Sequence, residues 1–343
     1  MSSLNVVLAG LGARGKFWAE VINRSNDCEL AAYADSNQKT LKEACQKFGE
    51  KPTFTSVEEA LSQVENVQAL ILATPPEGRE AQIRAACERN VPLLVEKPLA
   101  LELDEAAKYV AIAEDAGVPL MVGLNFRYLG VTKALLGLFE SGKVGTPAFA
   151  RFTYERWRDG TLARLNKYPL TMRHPMLWEQ SVHHFDLMRF VYQKEPVSVY
   201  CKTWNPSWSM YADDTNVSAV FTFEDDLVVN YQGTWQSGWQ QPHFEWRTDC
   251  TEGVAIQQEQ FGGLQFARLH DEQLTPVELP EHEQWVTDTV GVLDAFANTL
   301  LEGKPLECSG RDHLKSLAIV EGCALSAARQ EAVRLEDVEV AMS

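Results

Sequence analysis

Two groups of residues in this sequence carry chemistry. The first is Glu96-Lys97-Pro98, which follows the apolar run 91–95. An isolated lysine is ordinarily a solvated surface charge. At the carboxyl end of a buried parallel strand it becomes a fixed ammonium, able to hydrogen-bond a substrate hydroxyl and favour loss of its proton. The proline after it restricts the backbone and is compatible with a cis bond. The second group is Glu179-Gln180-Ser181-Val182-His183-His184-Phe185-Asp186. On a helix, residues three, four and seven apart share a face, so Glu179, His183 and Asp186 line up. His184 then points about 100° away. A carboxylate beside a histidine selects its tautomer and stabilises the imidazolium. That arrangement suits a general base that takes a hydroxyl proton as hydride leaves carbon. A zinc reading of Glu179, His183 and His184 is possible by residue type, but adjacent histidines do not share a helix face, and no cysteine cluster supports it. No metal is expected.

Hydride chemistry needs a carrier, and the N-terminal region offers a place for one. The apolar stretch ending at Ala9 runs into Gly10-Leu11-Gly12-Ala13-Arg14-Gly15, and a helical pattern follows. In a strand–loop–helix context this spacing is a dinucleotide fingerprint. Gly10 permits the tight turn, Gly12 lets backbone amides approach a pyrophosphate, and Gly15 lets the helix pack on the strand. The helix N-terminus adds unpaired N–H groups and a positive dipole end. A second strand ends at Asp35, twenty residues after Gly15. Its carboxylate suits the two adenosine ribose hydroxyls and repels a 2′-phosphate, which favours NAD over NADP. Ser36-Asn37-Gln38 provides no arginine clamp, although Lys39 is close in sequence. Thr74-Pro75-Pro76 ends another strand and would lie on the same edge as Glu96 and Lys97.

These residues require a frame. Apolar runs at 4–9, 30–34, 69–73, 92–95 and 119–122 alternate with amphipathic segments at 38–48, 77–89 and 104–116. Such alternation predicts an α/β fold whose N-terminal part is a Rossmann, doubly wound parallel sheet. The pattern changes near Gly123, which sets the expected domains at 1–123 and 124–343. A helix is expected over 131–140, strands over 198–203, 216–223 and 227–235, and helices over 285–301 and 311–330. Glu224-Asp225-Asp226 reads as a hairpin turn, so the second domain's sheet is antiparallel there.

The chain has 343 residues, enough for two domains, and a formal net charge of −17. Such a surface repels phosphate backbones and anionic lipid, so neither nucleic acid nor membrane is an expected partner. No apolar run is long enough to span a bilayer. The seven cysteines are scattered, as expected of reduced thiols in the cytoplasm, and the opening Met-Ser-Ser-Leu-Asn has no signal-peptide pattern.

Taken together, these segments resemble the glucose–fructose oxidoreductase, inositol dehydrogenase and MocA family over nearly the whole chain. Glu96-Lys97-Pro98, Gly123-Leu124-Asn125-Phe126-Arg127-Tyr128, the 179–186 segment and the tail from Arg311-Asp312-His313-Leu314 through Ser326 carry the resemblance. It implies a second α/β domain with an open, mostly antiparallel sheet that often mediates dimers or tetramers. It also implies NAD-dependent oxidation or reduction at a ring carbinol of a sugar or cyclitol, with Lys97 and His183 as the catalytic pair. Glu179 stands where the family more commonly has aspartate, and Glu77-Gly78-Arg79 stands where it usually has a histidine shortly after the prolines. On this resemblance Asn125, Arg127 and His184 are expected to face substrate. Residues 151–174 are locally basic: Arg151, Arg156, Arg158, Arg164, Lys167, Arg173 and His174 stand against Glu155 and Asp159. Arg156 and Arg173 are candidates for an anionic substituent, and Trp157 for stacking on a sugar face. A solvated loop or a subunit contact would also account for this segment. Two alternatives share the motifs: a non-catalytic NAD sensor, and a glycoside-cleaving enzyme that oxidises C3 transiently and returns the hydride.

Overall fold

The computed structural model describes residues 3–163 and 165–339, and in it the early apolar runs become one parallel sheet. Arg164 of the basic segment lies outside the described residues. The chain forms β1 (Leu4–Ala9), α1 (Ala13–Arg24), β2 (Cys28–Ala34), α2 (Gln38–Phe48), β3 (Thr53–Phe54), α3 (Val57–Gln63), β4 (Ala69–Leu72), α4 (Arg79–Cys87), β5 (Leu93–Val95), α5 (Leu103–Asp115) and β6 (Leu120–Val122). The strand order is β3-β2-β1-β4-β5-β6, and the neighbouring strands are parallel. Strands β4, β5 and β6 are buried at every residue, as continuous apolar runs covered on both faces must be. Winding reverses between β1 and β4, so the loops leaving β1, β4, β5 and β6 emerge on the carboxyl edge beside the switch point where such sheets bind ligands.

A 3₁₀ turn (Asn125–Tyr128) precedes α6 (Gly130–Glu140), β7 (Pro147–Glu155), a π-helical turn (Met176–Ser181) and α7 (Val182–Tyr192). Then come β8 (Pro196–Trp204), β9 (Asn216–Phe223), β10 (Val228–Thr234), β11 (His243–Cys250), β12 (Gly253–Glu259), β13 (Gly262–Arg268), β14 (Thr275–Pro276), α8 (Thr287–Glu302), α9 (Gly310–Arg329), β15 (Val333–Arg334) and α10 (Glu336–Glu339). The second sheet has the order β14-β13-β12-β11-β7-β10-β9-β8-β15 and is antiparallel except for the β7–β10 pair. The hairpin at Glu224–Asp226 forms, with Asp225 and Asp226 at φ 55° and 58°. Strands β7 and β11 to β13 were not anticipated. β7 and β11 alternate apolar residues with polar or charged ones, as in His243-Phe244-Glu245-Trp246-Arg247, while β12 and β13 open on glycine and carry glutamines among short apolar stretches. One face of this sheet is a core. Cys201, Ala219, Tyr231, Phe152 and Trp246 run across five paired strands and are all buried. The other face exposes Tyr200, Val220 and Phe149.

The domain division differs from a single cut after residue 123. The first compact unit runs through Asn125 and takes back Glu283–Leu314, while Phe126–His282 and the chain from Lys315 make the second. The returning segment is held by backbone pairing, since Val122 N–H donates to Cys308 O at 2.8 Å and Met121 bridges Ser309. α8 also packs on α1. Contacts far apart in sequence of this kind leave no local pattern to read.

In the second unit α7 sets two adjacent histidines apart. His184, expected to face substrate, lies instead in the core at 1% exposure. Its Nδ1 is 2.9 Å from the Tyr231 hydroxyl and its Nε2 is 3.0 Å from the Gln180 side-chain nitrogen. Phe152 and Tyr154 each pack 4.7 Å from its ring. Both nitrogens are thus taken by protein, and the ring has no atom left for a ligand. Burial pushes its pKa from 6.5 down to about 3. The unfolded chain therefore binds a proton that the native state refuses, and stability is lost as pH falls below 6.5 toward about 3. We expect a His184→Gln variant to lose less stability on acidification, with a slope in that window smaller by about 1.4 kcal/mol per pH unit. Urea unfolding at pH 7, 6, 5 and 4 measures it; parallel slopes for variant and wild type would refute a neutral buried imidazole.

Candidate active site

In the first unit, Gly10 sits at φ +83°, a conformation that disfavours other residues. A Cβ on it would lie 2.6 Å from the backbone of Ala73 and Thr74. A Cβ on Gly15 would lie 1.8 Å from the Gly10 carbonyl oxygen, so α1 packs directly on the loop. Gly12 is different: a Cβ there meets nothing within 4 Å. The loop is thus closed by Gly10 and Gly15 and open above Gly12, where α1 begins at Ala13 with no side-chain cap on its first amides. That is the cradle a pyrophosphate requires.

Asp35 braces this loop. One carboxylate oxygen accepts from Leu11 N–H at 2.7 Å and the other from Asn37 N–H at 2.8 Å. Each oxygen retains a lone pair for a ribose hydroxyl. Arg14 is held by a buried carboxylate. Its Nε donates to Glu96 at 2.8 Å, and Trp18 Nε1 donates to the same oxygen at 2.7 Å. Glu96 is 6% exposed, so its charge is buried and paired. Thr74 donates its hydroxyl to Gln82 at 3.0 Å, Pro75 is exposed and Pro76 buried. Lys97 is half-buried, and its bond to Pro98 is cis. Asn125 is buried and donates to Asp288, a residue of the returning segment. Gly10 to Gly15, Asp35, Thr74 to Pro76, Glu96, Lys97 and Asn125 therefore share the carboxyl edge of one sheet.

In the second unit, His183 stacks on Phe126, with ring centroids 4.2 Å apart and planes 19° from parallel. Glu179 accepts from the Tyr168 hydroxyl at 2.9 Å. It lies in the π-helical turn before α7, so the simple α-helical alignment of Glu179 with His183 and Asp186 does not apply there. Such turns are frequent at functional sites. Arg127, expected to face substrate, is committed to structure: its Nε and Nη2 grip both oxygens of Asp186 at 2.7 and 2.5 Å. Asp186 is 2% exposed and also accepts from Ser316 at 3.0 Å, which explains why it needs a strong partner.

Four of the six described basic residues of the segment are engaged within their own unit, among them Lys167, whose ammonium donates to the Gly160 and Leu162 carbonyls. Arg151 pairs with Glu245, Arg158 donates to Tyr211 and lies over Trp235, and His174 lies 3.6 and 3.7 Å from Asp213 and Asp214. Arg156 reaches Tyr154 OH at 3.4 Å and Arg173 is exposed; among the described residues neither has a carboxylate in ion-pair reach. Trp157 is half-buried and bridges Gln236 through its backbone. The sequence reading missed Arg79, Trp18, Tyr168 and Phe126. Two of these had a signal: Arg79 lies in the Glu77-Gly78-Arg79 stretch that stands where the family usually has a histidine, and Phe126 lies in the Gly123–Tyr128 segment.

Residues 4–124 match the model of an oxidoreductase family with an NAD-binding Rossmann fold, GFO_IDH_MocA. Residues 132–256 match the GFO/IDH/MocA C-terminal domain. A D-apiose dehydrogenase of Paraburkholderia graminis is 25% identical over 326 residues, covering 91% of this chain and 84% of that protein. A myo-inositol 2-dehydrogenase of Thermotoga maritima is 24% identical over 197 residues, or 57% of each protein. The fold matches that of an oxidoreductase from Agrobacterium radiobacter solved with NAD+, L-tartaric acid and magnesium, with a TM-score of 0.87, 20% identity and coverage of 98% and 99%. Among the described residues no helix is long and apolar enough to cross a membrane.

The open cradle over Gly12 and the braced Asp35 fit NAD, and two glycine variants separate binding from folding. Gly12→Ala should keep the wild-type melting temperature yet weaken NADH binding about tenfold or more, or about 1.4 kcal/mol. Gly15→Ala should lower the melting temperature instead, since overpacking costs about 1–3 kcal/mol. Calorimetry with and without NADH reads both. Unaltered NADH affinity in Gly12→Ala would show that the opening above Gly12 does not hold the dinucleotide.

Proposed function

The chain belongs to the Gfo/Idh/MocA oxidoreductase family, and on that premise we propose that it transfers hydride between NAD and a ring carbinol of a sugar, sugar derivative or cyclitol. The observation that carries this reading is the glycine loop, closed at Gly10 and Gly15, open at Gly12 and braced by Asp35. Gly10 to Gly15, Asp35 and the Thr74 to Pro76 turn would hold the dinucleotide, which when bound supplies the hydride acceptor. The Asp35 carboxylate favours a ribose carrying free hydroxyls over a 2′-phosphate.

Lys97 is the group that polarises the substrate hydroxyl, and His183 is the base that takes its proton. Stacking on Phe126 restrains the His183 ring, and Glu179 is its orienting carboxylate. The protein's contribution is to fix these groups and keep the proton at one atom. The D-apiose and inositol dehydrogenases among the relatives support a polyhydroxylated substrate. Arg156 and Arg173, without carboxylate partners among the described residues, support an acidic substituent on it. The exposed row of Phe149, Tyr200 and Val220 supports a homodimer or homotetramer.

NADH absorbance tests the reading directly. The purified protein with NAD is offered inositols, neutral hexoses, pentoses and uronic acids. NADH should accumulate with one class, and Lys97→Ala and His183→Ala should each lower turnover by about 10²–10⁴-fold while still binding NADH. Turnover without net NADH would favour the hydride-recycling glycosidase. Full activity in either variant, or silence across the panel with NADH tightly bound, would overturn the proposal.

A further inference from the structure

We infer that Arg79 is a positioning residue that sets where Lys97 stands; the catalytic meaning of this rests on the role proposed for Lys97 above. Arg79 opens α4 and is 1% exposed. Gly78 before it is left-handed, at φ +76°, so the chain can turn there and send the first helical side chain inward. The guanidinium Nη1 donates to the carbonyls of Glu96 at 2.7 Å, Pro98 at 2.6 Å and Leu99 at 3.1 Å. Nη2 donates to the Thr74 carbonyl at 2.5 Å. One side chain thus ties the residues on both sides of Lys97 to the turn after β4.

The ladder alone does not fix this segment. β5 is three residues long, and the Glu96 N–H bond to Leu72 O and the Gly123 N–H bond to Val95 O mark where sheet pairing ends. Beyond them the carbonyls of residues 96, 98 and 99 point at Arg79. A planar, permanently charged fork with five donors can serve several carbonyls at once, whereas lysine offers a point charge. Loss of the fork would leave buried carbonyls short of donors and let the backbone of Lys97 shift. A shift near 1 Å in a catalytic group is enough to cost about 10²-fold in rate.

The test uses the full chain with Arg79→Met and Arg79→Lys. Three readouts are taken: hydrogen exchange by mass spectrometry, the acylation rate of the Lys97 amine by an activated acetate ester, and turnover with NADH binding. In Arg79→Met we expect exchange to rise in peptides covering 73–77 and 94–100 while 4–12 keeps wild-type protection. Lys97 acylation should change severalfold while that of Lys39, 84% exposed, stays constant. Turnover at saturating NAD should fall about 10- to 100-fold, a larger loss than any weakening of NADH binding through the loosened Thr74 turn. Arg79→Lys should fall between, and it decides the matter if Arg79→Met does not fold. A lower melting temperature with unchanged Lys97 acylation and no local rise in exchange would reduce Arg79 to a stabilising residue and overturn the inference. If wild type oxidises nothing, the exchange and acylation arms still judge Arg79, and the missing turnover counts against the reaction alone.

Discussion

A buried guanidinium at the start of α4 organises the edge on which the candidate chemistry sits. Arginine keeps its charge in a protein interior, so burying Arg79 requires acceptors on several sides. Four backbone carbonyls from two loops supply them. The segment after β5 is too short and too irregular for sheet bonds to hold, yet it carries Glu96 and Lys97. A second buried charge stabilises the same segment from the other side. The Glu96 carboxylate takes hydrogen bonds from Arg14 and Trp18, which tie it to the first turns of α1. The Glu96–Leu99 peptide is therefore coupled at once to the glycine loop and to the turn at Thr74.

The same economy of contacts explains the discontinuous first unit. The loop at Gly10 to Gly15 has few side chains of its own, so its order must come from neighbours. Asp35 donates nothing but accepts from the loop at Leu11, and α1 rests against the Gly10 carbonyl where only glycine fits. Residues from the far end of the chain complete the support: Thr289 accepts from Arg14 at 3.4 Å, and Asp288 accepts from Asn125. Residues 283–314 thus supply this edge with two of its hydrogen-bond partners.

In the second unit, neighbouring positions on one helix have opposite fates. His183 lies against Phe126 and His184 lies in the sheet core, because one step along a helix turns a side chain by about 100°. The core histidine is kept neutral by burial. Glu179 lies in the π-helical turn before α7 and accepts from the Tyr168 hydroxyl. Asp186 faces Arg127 and Ser316, and its role is to bind α7 to the chain around it.

Local sequence determined the elements with strong periodicity and the motifs tied to them. The glycine loop with its strand and helix, Asp35 at the end of β2, Lys97 after β5, and the hairpin at Glu224 to Asp226 were legible because each depends on residues a few positions apart. The strands β7 and β11 to β13 were not: β7 and β11 alternate apolar residues with polar or charged ones, and β12 and β13 begin with glycine and hold only short apolar stretches broken by glutamine. Tertiary structure alone decided which charges are committed. Arg127 reads as a substrate-facing residue and Arg14 as a member of the nucleotide loop until Asp186 and Glu96, 59 and 82 residues away, are brought against them. Arg79 read as a departure from a pattern until four distant carbonyls surrounded it. The physical reason is the same in each case. Secondary structure follows from short-range sterics and periodic burial, whereas the worth of a buried charge depends on partners that only the folded chain assembles.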